Sequence, residues 1–204
     1  MRKIIVFAFV LFIGMFASKA QVTFTPGLRA GLSLSTISET HADYRPNFYI
    51  GGFGEINLSK RYALQPEINY IRQGSNNVAR NFFDPNTQTE RVVYQDLQIS
   101  YLSISLINKL KFGQGFQVQF GPALDVLLDD NLVFRKTYND LSFVTGLAYK
   151  IPSGLGFEIR FKKGLYDVLD SDYYYNNFNN DYFFGDYNTN VNFQIGVTYS
   201  FNVK

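Results

Sequence analysis

Residues 191–201 alternate without a break. Val191, Phe193, Ile195, Val197, Tyr199 and Phe201 are apolar, and Asn192, Gln194, Gly196, Thr198 and Ser200 between them are polar or small. A period of two over a stretch this long is that of a β-strand whose faces meet unlike surroundings; a helix would scatter these residues around its circumference. The same period recurs upstream. Leu28, Ala30, Leu32 and Leu34 oppose Arg29, Gly31, Ser33 and Ser35, and Phe48, Ile50, Ile56 and Leu58 oppose Tyr49, Gly51, Glu55 and Asn57. Tyr62, Leu64, Pro66, Ile68 and Tyr70 oppose Ala63, Gln65, Glu67 and Asn69. Further segments follow at about 93–112, from Phe116, from Leu141 and from Leu155. The reading is an all-β chain of eight strands.

In the 93–112 segment Leu102, Ile104 and Leu106 share one parity, whereas Leu97 and Ile99 have the other. That switch predicts a bulge near Tyr101. Short turns at Ser59-Lys60-Arg61, Gly113-Gln114-Gly115 and Pro152-Ser153-Gly154 alternate with longer connections at 36–46, 74–92, 129–140 and 165–190. Short turns at one end and long loops at the other are the pattern of an up-and-down outer-membrane barrel, and an even strand number lets the sheet close without edges.

Alternation alone does not say which face is inside. Three features place the apolar face toward lipid. It carries bulky Phe, Tyr, Leu and Ile on nearly every strand, with aromatics near strand ends; the chain holds 21 Phe and 15 Tyr. The other face mixes Gly31, Gly51, Gly121, Ala123, Gly146 and Gly196 with a few charges, as the narrow lumen of eight strands requires. The final strand is aromatic. The fold expected is an eight-stranded antiparallel up-and-down transmembrane β-barrel in the cell outer membrane, and the soluble alternative is a lipocalin-like barrel with the faces reversed.

The first twenty residues read as a secretory signal peptide. Arg2 and Lys3 precede an apolar run from Ile4 to Phe16, and Ser18-Lys19-Ala20 offers small residues before a cut. The run is shorter than a membrane-spanning helix needs. The division expected is 1–20 signal peptide and 21–204 barrel domain. Removing Arg2, Lys3 and Lys19 takes the formal charge from +2 to −1. No basic patch interleaved with aromatics remains, so nucleic-acid binding has no electrostatic support. The absence of Cys excludes disulfides, thiolate metal sites and a Cys nucleophile, and no cofactor is implied.

Several segments resemble the PorT-like outer-membrane β-barrel family. They are Arg29-Ala30-Gly31-Leu32-Ser33-Leu34-Ser35, Phe53-Gly54-Glu55-Ile56-Asn57-Leu58, and Leu64-Gln65-Pro66-Glu67-Ile68-Asn69-Tyr70 followed by Gly74. Tyr101-Leu102 with Lys109, Phe120-Gly121-Pro122 and Glu158-Ile159-Arg160-Phe161 continue the likeness, although Ser103-Ile104-Ser105 replaces the family's usual Glu-Ile-Pro. The resemblance implies an eight-stranded outer-membrane barrel. The family's founding member is associated with a protein secretion machine, a role that sharing the barrel does not itself transfer.

Arg29, Glu55, Glu67, Lys109, Asp125, Glu158, Arg160 and Lys162 fall on the polar face. Charges facing a narrow lumen must pair, so these residues are expected to form a polar network that fills the barrel. A second candidate is the 165–190 segment, where Asp170, Asp172, Tyr173, Tyr174, Tyr175, Phe178, Tyr182 and Phe183 offer an acidic, aromatic surface for a protein partner. The function expected is a non-enzymatic, monomeric barrel set in outer-membrane lipid. It presents loops 74–92 and 165–190 to a partner, as an accessory to secretion or envelope assembly. The alternatives are a narrow ion or small-solute channel, opposed by Tyr49, Phe53 and Tyr101 on the inner face, and an outer-leaflet lipid-modifying enzyme using His41 with Ser38 and Asp43 nearby. The signal-peptide reading has a direct check: the intact mass of the exported protein should correspond to a chain beginning at Gln21, and retention of residues 1–20 would contradict it.

Overall fold

In the computed structural model, which describes residues 22–133, 138–169 and 188–201, every strand hydrogen-bonds to the next in sequence and the last closes on the first. The strands are β1 (Thr23–Ile37), β2 (Asp43–Asn57), β3 (Tyr62–Asp84), β4 (Thr89–Phe112), β5 (Phe116–Asp130), β6 (Asn139–Lys150), β7 (Leu155–Gly164) and β8 (Asn190–Ser200). Closure runs from Gly27↔Ser200 to Ile37↔Asn190. All pairs are antiparallel, so backbone donors and acceptors are satisfied without help from solvent, as a lipid-embedded sheet requires.

The period-two reading fixes the faces. Leu28, Leu32, Ile50, Ile68, Ile104, Leu124, Phe143, Ile159 and Ile195 are all exposed on the outer wall. Between them in sequence, Arg29, Ser33, Glu67, Ser103, Asp125, Glu158 and Gln194 are buried. Among the described residues, buried polar side chains outnumber buried apolar ones. This is the inverse of a soluble barrel and answers the question of sides that alternation left open.

Aromatic rings gather at two levels of the outer wall. Near the short turns, the Phe112 and Phe116 centroids lie 6.4 Å apart and those of Tyr199 and Phe201 lie 5.4 Å apart. Near the longer connections, Phe161 stands 4.9 Å from Phe193 and Phe48 stands 5.9 Å from Tyr70. On β1 the stretch from Phe24 to Leu34, at ~3.3 Å per residue and a ~40° tilt, rises about 25 Å, the height of an outer-membrane apolar band. Leu34 pairs with Phe193, which places it at the second aromatic level.

Two sequence expectations are corrected here. The segment 74–92 is not a loop: β3 and β4 stay paired out to Asp84↔Thr89, leaving only 85–88 as a turn. Neighbouring strands stop earlier, β2 at Asp43↔Asn76 and β5 at Ile99↔Asp130, so the hairpin stands beyond the wall. Its apolar residues fall in adjacent pairs, Phe82-Phe83 and Val92-Val93, so the segment shows no period of two by which to read it as strand.

The second correction concerns the cause of the irregularity near Tyr101, which is present where the sequence places it. Leu97 and Ile99 share the inward parity of Tyr101 and are fully buried, so the strand does not switch faces. The irregularity lies across the pairing, where Ser100 meets Asp129 but Tyr101 meets Leu127, and the extra residue, Leu128, belongs to β5. The apolar inward residues are a cap for the lumen. The hairpin has its own bulge between Ser75 and Val78, with Asn77 at φ 57, a left-handed conformation that Asn tolerates. Gly74 (φ 143) precedes it, where a Cβ would strike the Leu97 carbonyl.

Placing charge on the two outer surfaces separates membrane from hairpin. Leu28→Arg, near mid-band, should cost about 2–4 kcal/mol in unfolding from lipid vesicles. Val92→Arg on the hairpin should change stability by less than about 0.5 kcal/mol. Equal costs would contradict this placement.

Candidate functional site

The inward residues of eight strands converge on a narrow lumen, and the charged ones meet at three levels. Midway, Arg29 (β1), Glu67 (β3), Glu158 and Arg160 (both β7) form a closed ring. Arg29 Nη1 lies 2.6 Å from Glu67 Oε2, and Arg29 Nη2 lies 2.5 Å from Glu158 Oε1. Arg160 reaches both acids, at 2.8 Å to Glu67 Oε1 and 3.1 Å to Glu158 Oε2. All four side chains are at most 3% exposed. Two guanidinium groups and two carboxylates cancel in charge, and the planar Arg fork meets two acids at once.

Neutral groups complete the ring. Gln65 Nε2 donates to Glu67 Oε1 at 2.6 Å, and Arg160 Nε donates to Gln119 Oε1 at 2.6 Å. The Tyr49 hydroxyl donates to Glu158 Oε1 at 3.0 Å while the Arg29 guanidinium lies 4.6 Å from its ring centroid. Tyr49 can lie flat across the lumen because Gly31 and Gly196 face it; a Cβ on either would overlap its hydroxyl.

Toward the short turns, Lys109 and Lys111 share Glu55, at 3.2 Å and 2.6 Å, and Lys111 also contacts Asn57 Oδ1. Toward the longer connections, Lys162 Nζ lies 2.6 Å from Asp125 Oδ1 and donates to Ser103 at 2.8 Å, while Ser142 donates to Asp125. Asp140, opposite Asp125 in register, accepts from the backbone N–H groups of Leu165 and Tyr166 and from Asn190. Between this level and the ring, a void lined by Asn69, Ser103, Ser105 and Lys162 has room for a water molecule and little more. Above it, Ile37, Ile71, Leu97, Ile99, Tyr101 and Leu169 form an apolar cap.

All eight charged residues singled out on the polar face are therefore in the lumen, distributed over the three levels. Lys111, Asp140 and the two Gln side chains join them. Strand parity also marks Lys111 and Asp140 as inward once the strand ends are known. Of Ser38, His41 and Asp43, Ser38 Oγ is engaged with Thr189 and Asp43 accepts from Asn77. Asp170, Asp172, Tyr173, Tyr174, Tyr175, Phe178, Tyr182 and Phe183 lie outside the described residues.

The family of the outer membrane protein beta-barrel domain matches residues 16–204. The chain belongs to this family. It is an outer-membrane protein. Among solved structures it is similar to Neisserial surface protein A (NspA), with 13% identity over 89% of this chain and 100% of that one, at a TM-score of 0.50. It is also similar to OprG from Pseudomonas aeruginosa, with 10% identity over 90% and 99% of the two chains and a TM-score of 0.49. Ail of Yersinia pestis gives 11% identity over 87% and 98%, with a TM-score of 0.46. At these identities the likeness to NspA concerns the fold alone. No curated protein matches the chain.

The seat of Tyr49 gives this interior a test. Gly196→Ala should displace the ring and lower stability by about 1–3 kcal/mol. Gly52→Ala, where a Cβ meets nothing closer than 3.7 Å, should be neutral within about 0.5 kcal/mol. Urea unfolding in lipid vesicles compares them, and equal effects would contradict the packing described.

Proposed function

We propose that the protein is a non-enzymatic, monomeric anchor that acts through what it displays outside the membrane, as an accessory to secretion or envelope assembly of the PorT-like kind. Residues 1–20 are, on this reading, removed on export. The observation that carries the proposal is the contrast between interior and hairpin. The lumen is filled by the Arg29–Glu67–Glu158–Arg160 ring and capped by apolar side chains, which leaves no substrate-sized pocket among the described residues. The β3–β4 hairpin stays ordered well past its neighbours; the stretch from Ser75 to Asp84 reaches about 30 Å at ~3.3 Å per residue.

The outward face of that hairpin holds Tyr94 (71% exposed), Phe83 and Val92, an apolar stripe above the lipid band. Such a stripe on a rigid support suits a protein partner. Its β4 edge is blunted at the base, where Asn131 mimics a strand: Gln98 N–H donates to Asn131 Oδ1 at 2.7 Å, and Asn131 Nδ2 donates to the Asp96 carbonyl at 2.9 Å. This protection disfavours indiscriminate edge pairing. The hairpin and the 165–190 segment together are the surface we assign to partner binding.

A photoreactive residue at Tyr94 should give a discrete protein adduct on intact cells, whereas one at Leu28 should react only with lipid. The purified protein should show no conductance steps in planar bilayers. Regular steps and no adduct at Tyr94 would favour the narrow channel instead.

A further inference from the structure

One cation on the outer wall has no counter-charge among the described residues. Arg72 lies on β3 with the lipid-facing parity of Ile68 and Tyr70, one pleat beyond Tyr70 toward the hairpin. Its guanidinium lies 5.8 Å from the Phe48 ring centroid, and the Tyr70 hydroxyl donates to Ser100 at 3.2 Å, holding the neighbouring ring upright. Among the described residues Arg72 makes no ion pair, and its Nε has no hydrogen-bond partner. A guanidinium at the edge of an apolar band, fixed on an aromatic floor, is a costly arrangement unless an anion meets it.

A second guanidinium lies in the next row. Arg45 crosses from β2 to donate to Asn76 Oδ1 at 2.8 Å and to Gln98 Oε1 at 3.4 Å. Gly74 pairs with Gln98 and Arg72 with Ser100, so the Gln98 side chain that Arg45 reaches stands one row beyond Arg72, with no side chain from Gly74 between. The acid nearest to Arg45 is Asp96, at 3.9 Å and 62% exposed, a weak partner. Asp43 and Asp96 lie further toward the hairpin, where Asn77 bonds to both.

Depth selects the ligand. Phe48 and Tyr70 belong to the aromatic level on the side of the longer connections, which in such barrels faces the outer leaflet. Directly below, Ile50, Ile68 and Ile104 form a bare apolar wall. An occupant continuous with the lipid band must place acyl chains on that wall and an anionic group at the two guanidiniums. We propose that Arg72 and Arg45 form a binding site for the phosphate of an outer-leaflet phosphoglycolipid. The Arg fork suits a tetrahedral phosphate, and the aromatic floor limits the geometries it can adopt. The site is separate from the apolar stripe of the hairpin and does not depend on what that stripe binds.

The test uses the full refolded barrel in mild detergent, with diphosphoryl lipid A and its dephosphorylated form as probes, read by native mass spectrometry. The wild type should prefer the phosphorylated lipid by roughly tenfold or more. R72Q/R45Q should lose that preference while remaining heat-modifiable on gels, and K60Q/R61Q, in the exposed turn at the opposite end, should keep it. A wild type that does not discriminate, a double variant that still does, or an equal loss in K60Q/R61Q would overturn the proposal. Full competition by excess inorganic phosphate would overturn the assignment to a lipid by revealing a free-anion site.

Discussion

The ion-pair ring at mid-lumen is the interaction on which the rest of this barrel depends. Eight closed strands leave an interior too narrow for bulk water but too polar to collapse as an oil-filled core. Four charges placed there are costly to desolvate one by one, and removing any single partner strands the others, an effect of about 3–5 kcal/mol in buried pairs. Arg29, Glu67, Glu158 and Arg160 meet that cost jointly: β1, β3 and β7 are cross-linked through one neutral cluster, and Gln65, Gln119 and Tyr49 each add a hydrogen bond to it. The strands so tied are not neighbours in the sheet, so the ring fixes the barrel's cross-section in a way the backbone ladder does not.

A filled interior separates the molecule's tasks. The wall serves the bilayer, with an apolar band between two aromatic levels. The cap of Ile37, Ile71, Leu97, Ile99 and Leu169 closes the end from which the hairpin rises. On the readings proposed above, chemistry offered to the surroundings is left to the outer surface: the apolar stripe of Phe83, Val92 and Tyr94, and Arg72 on its aromatic floor with Arg45 beyond it.

Much of this was legible in the sequence where one environment acts along a whole strand. In β8 and β1 every residue feels lipid on one side and lumen on the other, so alternation named both faces and the inward position of Arg29. It failed where a second environment enters. Leu97 and Ile99 looked like lipid-facing residues out of register, because apolar character cannot distinguish a membrane from an apolar cap inside the same barrel. The hairpin at 74–92 looked like a loop because both its faces lie outside the membrane. Membership of the ring was not legible either: parity places Glu55 and Glu67 alike, and only the shear of the closed sheet decides that Glu67 meets two arginines while Glu55 meets two lysines.

The most direct measurement is a double-mutant cycle on the ring, using the unfolding free energies of wild type, Glu67→Gln, Arg160→Met and the double variant in lipid vesicles. If the ring organises the barrel, each single change is strongly destabilising and the double variant loses far less than their sum, leaving a coupling well above the ~0.5 kcal/mol expected of independent sites. Additive losses would mean that Glu67 and Arg160 merely occupy the same lumen, and the account of a barrel held by its interior charges would fail.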